Sequence, residues 1–237
     1  MPFHGQKDAF VAPVHAPVIR RLARIGKLGQ LFDMTLSPLA RFLALMVAVM
    51  ALASLGADFV SSRASHPDDS VLATLWRMAR FFTILTNLMV GVTYLALAAR
   101  GRVASAVWLG GVTLWIGITG VVYHLLLAGA EGPKSGIDWW ANFGLHGAVP
   151  VAVALWWLAF GPRQGLSVTA ALIWMIWPLT YVIYALGRGQ LDGVYPYFFT
   201  NPDRIGWIGV GRWTVILAVS FFVAGLLQIA MARLVRR

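Results

Sequence analysis

The sequence predicts an all-α protein, a polytopic bundle of six transmembrane helices with both termini cytoplasmic. Three observations predict it. Only 12% of the 237 residues are charged and 59% are hydrophobic, whereas a soluble domain of this length carries about 25% charge. Six apolar runs are each long enough to cross a bilayer core, which takes roughly 20 helical residues. Lys and Arg collect at the ends of those runs, mostly on one side, as in proteins whose topology is set by the positive-inside rule.

The chain divides into a basic tail, residues 1–34, and a six-helix membrane domain, residues 35–237. Residues 1–30 lack the apolar h-region of a cleavable signal peptide. Within the tail, Val18, Leu22, Ile25 and Phe32 share one helical face, and Arg20, Arg21, Arg24 and Lys27 fall mostly opposite. That pattern suits an interfacial helix on anionic lipid headgroups; a disordered basic tail is the alternative. The six runs are Leu39 to Val60, Phe81 to Ala99, Val103 to Ala130, Trp139 to Phe160, Leu166 to Gly187 and Trp213 to Ala232. Arg41 and Asp58 are close enough to the ends of the first to snorkel. The third is longer than a crossing needs and is expected to tilt or to extend past the interface. The turns Arg100-Gly101-Arg102 and Gly161-Pro162-Arg163 are short enough to force hairpins. The pairs Trp139-Trp140 and Trp156-Trp157 read as aromatic belts at the two faces of the fourth span.

Placing both termini and the two hairpin turns on one side puts 12 of the 19 Lys and Arg there, with two of the nine acids. That side is therefore the cytoplasmic one. The net charge of +10 reflects topology, and nucleic-acid binding is not expected, because the charges do not form one aromatic-interleaved face. Cysteine is absent, which excludes disulfides, thiolate metal sites and a cysteine nucleophile. No cofactor or metal site is expected.

The polar residues of the spans fall at one depth in the outer leaflet. His146 lies about 10 Å into the fourth span, at 1.5 Å per residue, in a run with no charged residue. An ionisable side chain there is costly and marks a functional site by default. Asn142 precedes it by one turn. Thr83 and Asn87 share a face of the second span; His124 lies near the outer end of the third; Tyr181 and Tyr184 lie in the outer half of the fifth. Each has a plainer role: Thr83 can bond its own i−4 carbonyl, the asparagines can bridge helices, and His124 beside Tyr123 can be structural. Arg80 can snorkel to the interface or neutralise an acidic ligand. The loop containing Tyr195-Pro-Tyr-Phe-Phe199 is either an interfacial anchor or a lid over a lipid entrance.

The soluble hydrolase signatures are missing: there is no G-x-S-x-G elbow, H-E-x-x-H, P-loop or Rossmann fingerprint. A hydroxyl nucleophile still needs only a base and a stabiliser of the oxyanion. Thr83 and His146 supply the first two, and Asn87, Asn142 or a tyrosine hydroxyl can supply the third. Two other classes compete. One is a lipid-binding or lipid-transport protein, for which Pro150 and Pro178 are the candidate helix breaks. The other is a haem-binding electron carrier with His124 and His146 as axial ligands.

The stretch Arg80-Phe-Phe-Thr-Ile-Leu-Thr-Asn-Leu-Met89 resembles the second-helix motif of the bacterial Pr6Pr family of six-helix membrane proteins. So do Ile118 to Ala128, Trp139-Trp-Ala-Asn-Phe-Gly-Leu-His146 with Pro150, Trp177-Pro-Leu-Thr-Tyr181, Arg188-Gly189 and Tyr195-Pro-Tyr197. The resemblance runs from about Leu39 to Leu234. That family is in turn distantly similar to the androgen-induced and androgen-dependent TFPI-regulating proteins, threonine hydrolases that cleave fatty acid esters of hydroxy fatty acids. The resemblance implies a bacterial inner-membrane protein with nucleophile Thr83 and base His146, acting on a membrane lipid or fatty acyl ester. The Asn-x-Gly-x-His pattern is present as Asn142 to His146. The spacing from Thr83 to Asn87 differs by one from the eukaryotic pattern, and Thr86 is a competing nucleophile.

Overall fold

The computed structural model describes residues 34–235; the basic segment Val18 to Phe32 lies outside the described residues. Counting π and 3₁₀ turns within them, the helices are α1 Pro38–Ser65, α2 Val71–Met78, α3 Phe82–Arg100, α4 Ala106–Ala130, α5 Gly136–Phe160, α6 Val168–Asp192 and α7 Pro202–Leu234. All except the short α2 are long and apolar enough to cross a membrane. Their outward faces carry exposed apolar side chains such as Phe42, Ile183, Val215 and Leu227, a surface that water would not tolerate over this extent. The architecture is that of a multi-pass membrane protein.

Helix ends follow their capping residues. Ser37 with Pro38, and Asn201 with Pro202, open α1 and α7 through side chains that accept backbone N–H groups, as N-cap and N1 residues should. The third crossing starts at Ala106, not Val103, because Ser105 caps it. Val103 instead pairs with Met34 in a two-stranded ribbon, β1 (Met34–Thr35) against β2 (Arg102–Val103). The sixth crossing begins well before Trp213 because the Asn-Pro cap sets its start, and it bends at Gly206, where φ is 69°. The exposed Arg41 guanidinium donates to the carbonyls of Ala98 and Ala99 and so satisfies the end of α3.

α1 packs along α3 and α5, and α4 lies against α3, α5, α6 and α7. Trp156 and Trp157 are buried inside this packing, which corrects their reading as a belt: the Trp156 indole donates to the Ala40 carbonyl at 2.9 Å. Trp139 and Trp140, by contrast, are exposed. Pro178 deprives the Trp174 carbonyl of its i+4 donor, and the Trp115 indole fills that place at 2.8 Å. Both described chain ends lie on one side, since β1 pairs with the α3–α4 turn and Arg163 donates to the Val235 carbonyl at 3.0 Å.

Candidate active site

His146 owes its position to a proline four residues on. Pro150 has no N–H, and the preceding residues Gly144–Ala148 form a π turn in which the Val149 N–H bonds to Gly144. The Leu145 carbonyl therefore has neither Val149 nor Pro150 as a donor. Asn87 of α3 supplies one, its amide donating to Leu145 at 3.2 Å and to the Thr83 carbonyl at 2.9 Å. One buried side chain thus ties the first turn of α3 to the π turn of α5. π turns are frequent at functional sites, and close approach on both flanks fixes this one. A Cβ at Gly120 of α4 would stand 2.8 Å from the His146 carbonyl, and one at Gly144 would stand 2.0 Å from Ser54 Oγ of α1.

The result is a Thr–His pair. Thr83 Oγ1 lies 3.2 Å from His146 Nε2, and His146 Nδ1 lies 3.2 Å from the Asn142 carbonyl. A carbonyl only accepts, so Nδ1 carries the proton and Nε2 presents its lone pair to the threonine hydroxyl. Tyr123 stacks on the imidazole with centroids 3.9 Å apart. Its hydroxyl accepts from Asn142 Nδ2 at 2.8 Å and donates to Glu131 at 3.0 Å. Thr86 is buried on another face and accepts from the Trp177 indole at 3.2 Å. Of the two threonines, Thr83 is the one beside His146.

Thr83 sits in the first turn of α3, where backbone N–H groups have no intrahelical partner and the helix end is positive. Phe81, the N-cap, gives no side-chain bond. Tyr197, from the segment between α6 and α7, takes its place: its hydroxyl accepts the Phe82 N–H at 3.1 Å and also bonds to Thr83. Burial holds that hydroxyl protonated beyond the ordinary tyrosine range, against the opposing effect of its hydrogen-bonding neighbours Thr83, Tyr181 and Phe82.

Arg80, Tyr181 and Tyr184 act around this turn rather than in it. Arg80 makes a bidentate pair with Asp192 at 2.9 and 2.6 Å and also donates to the Val194 carbonyl, so its fork is filled by the protein's own groups. Its pKa is raised, chiefly by the hydrogen bond to Asp192. Tyr181 and Tyr184 donate to the Arg80 and Ala79 carbonyls at 2.8 and 3.0 Å. Their hydroxyls are thus spent, as are both amide N–H groups of Asn87, while Asn142 gives one of its two to Tyr123. His124 is exposed, its ring edge-on to Tyr123 at 5.2 Å, and is not brought to the pair.

Two cavities meet at Thr83. One, about 760 Å³ of space that opens in part to the surroundings, is apolar and lies among α3, α4, α6 and α7, lined by residues such as Ile118, Met175, Leu217 and Phe221. The other, about 940 Å³ of space that opens to solvent, is mixed, with Phe81, Ile84, Leu145 and Phe198 lining it beside Asp58, Lys134, Asp138, His146 and Arg204. Thr83, Leu127 and Tyr197 line both. Lys134 pairs with Glu131 at 3.2 Å and Asp138 at 3.7 Å. Burial opposes its charge, but the Glu131 hydrogen bond and the two carboxylates outweigh that and raise its pKa.

Sequence reasoning missed Tyr197 because it treated the Tyr-Pro-Tyr segment as an anchor or a lid. The signal was present in the uncapped start of α3, whose N-cap position holds Phe81 and no hydroxyl or carboxamide. Comparisons with family models, with curated proteins and with solved structures return no match.

Proposed function

We propose that this protein is a multi-pass inner-membrane hydrolase of lipid esters, with Thr83 as nucleophile and His146 as base. The observation that carries the reading is the 3.2 Å approach of Thr83 Oγ1 to the unprotonated nitrogen of His146, at the junction of an apolar and a more polar cavity. Thr83 Oγ attacks the acyl carbonyl while its proton passes to His146 Nε2. The tetrahedral oxyanion forms beside the Tyr197 hydroxyl, at the positive N-terminal end of α3, a setting of the kind that stabilises such charge. Collapse expels the alcohol, which takes the proton from His146. Water from the open, more polar cavity then cleaves the acyl-threonine with His146 as base, releasing the fatty acid and restoring Thr83.

The resemblance to the Pr6Pr family and, more distantly, to threonine hydrolases of fatty acid esters of hydroxy fatty acids supports the same pair and supplies one candidate substrate class. The distribution of Lys and Arg supports cytoplasmic termini and hence a site in the outer leaflet. A haem reading gains nothing from the geometry, since both ring nitrogens of His146 are engaged and His124 is exposed. A non-catalytic lipid-binding or lipid-transport role draws support from the apolar cavity alone.

Fluorophosphonate labelling separates the readings. Labelling of the native protein that is lost in Thr83→Ala and His146→Ala, and kept in Thr86→Ala, is the expected result. Native protein that binds lipid but neither labels nor hydrolyses any ester would be a binding protein.

A further inference from the structure

The two cavities at Thr83 differ in chemistry, and an ester straddling them must present a different half to each. The apolar one is lined almost wholly by hydrocarbon and aromatic side chains, and Thr119 on its wall spends its hydroxyl on the Trp115 carbonyl. An alkyl chain is the occupant such a surface accepts without stranding polar groups. The second cavity is partly walled by Phe81, Ile84 and Phe198, but it also presents ionisable groups that a second chain would have to cover. Asp58, Lys134, Asp138 and Asn142 line it, and Arg204, which lies near the Phe198 ring at 5.8 Å, has no ion pair with an acidic residue among the described residues. Hydrocarbon laid over these groups would remove their water and return no hydrogen bond, which ionised groups tolerate poorly.

We propose that the ligand is a single-chain ester of a compact polyol such as glycerol. Its acyl chain lies in the apolar cavity and its hydroxyl-bearing alcohol half lies in the more polar one. The proposal rests on the hydrolase reading for the placement of the ester carbonyl at Thr83, and it sets a discrimination that reading does not. Diacyl lipids and esters of hydroxy fatty acids carry a second hydrocarbon arm and would be the poorer substrates. Hydrolysis would then send a fatty acid and a polyol to opposite sides of Thr83.

The test uses the full chain in detergent or nanodiscs and two readouts. The first is the thermal shift given by hexadecyl glycerol ether, which has the proposed shape and no cleavable bond. The second is kcat/KM for monopalmitoylglycerol, dipalmitoylglycerol and the palmitoyl ester of hydroxystearic acid. The proposal expects stabilisation by the ether, and cleavage of the monoester at least about tenfold faster than either rival, a margin set by roughly 1.4 kcal/mol. Ala218→Trp, which fills the apolar cavity from a position on its wall, should abolish both effects. No ether shift, or a hydroxystearate ester cleaved as fast as the monoester, overturns the assignment while leaving hydrolysis standing. An ether shift lost in Ala218→Trp, with no ester cleaved, supports the bipartite site and removes the hydrolase reading. If neither effect appears, both fall.

Discussion

A threonine in the interior of a helix has its own i−4 carbonyl within reach, and Thr74, Thr113, Thr119 and Thr214 all bond to it. Thr83 is in the first turn of α3, where the residue four back belongs to the preceding turn, and the Ala79 carbonyl there is taken by Tyr184. Its hydroxyl is left to a tertiary partner, His146. Tyr197→Phe keeps the ring and removes only the hydroxyl. Kinetics on this variant should show a fall in kcat of about 10²- to 10³-fold, the usual cost of one oxyanion donor, with KM little changed. A loss confined to KM would make Tyr197 a wall of the cavity only. Thr86→Ala should retain activity and lower stability by about 1–3 kcal/mol, since it strands the Trp177 indole N–H in the interior; chemical denaturation in detergent reads this directly.

The π turn of α5 is an element-scale device. Pro150 removes a donor, the Leu145 carbonyl is freed, and Asn87 crosses from α3 to claim it. Asn87→Leu should therefore destabilise by about 1–3 kcal/mol, through the unsatisfied carbonyl, and should reduce labelling at Thr83 because the two helices lose their tie. Pro150→Ala has the opposite signature. It restores an N–H to the helix and permits ordinary i−4 bonding, so thermal stability should hold or rise while activity falls at least tenfold as His146 turns away from Thr83. A stable and fully active Pro150→Ala would show that the π turn does not position the base. The sequence displayed Pro150 and Asn87 openly. It did not display their connection, which runs through a carbonyl that only the folded α5 leaves without a donor.

For the whole molecule, the described chain ends share one side of the bundle, with Arg41, Arg100, Arg102, Arg163 and Arg233 at that end and the Thr83 site at the other. With no cysteine in the native chain, single cysteines report topology without background. Cysteines at Ser70 and at Ser135 should react with a membrane-impermeant maleimide added to intact cells, and one at Gln164 should react only after permeabilisation. The reverse pattern would place the site in the cytoplasmic leaflet.

Composition and run length were enough to determine six crossings, because hydrocarbon leaves a chain few other ways to satisfy its backbone. The depth of Thr83, Asn87, Asn142 and His146 was equally legible, since depth in a helix follows from residue count. The cost of an ionisable group in an apolar run drew attention to His146 for the same reason. The partners of each polar group depended on tertiary structure. Arg80, Tyr181 and Tyr184 share the outer half of the bundle with His146 but turn to the α2–α3 turn and to Asp192. Tyr197 reaches Thr83 from a loop whose path no periodicity encodes. Rotation about the helix axis and the return of a loop are set by packing, and packing alone chose Thr83 over Thr86 as the neighbour of His146.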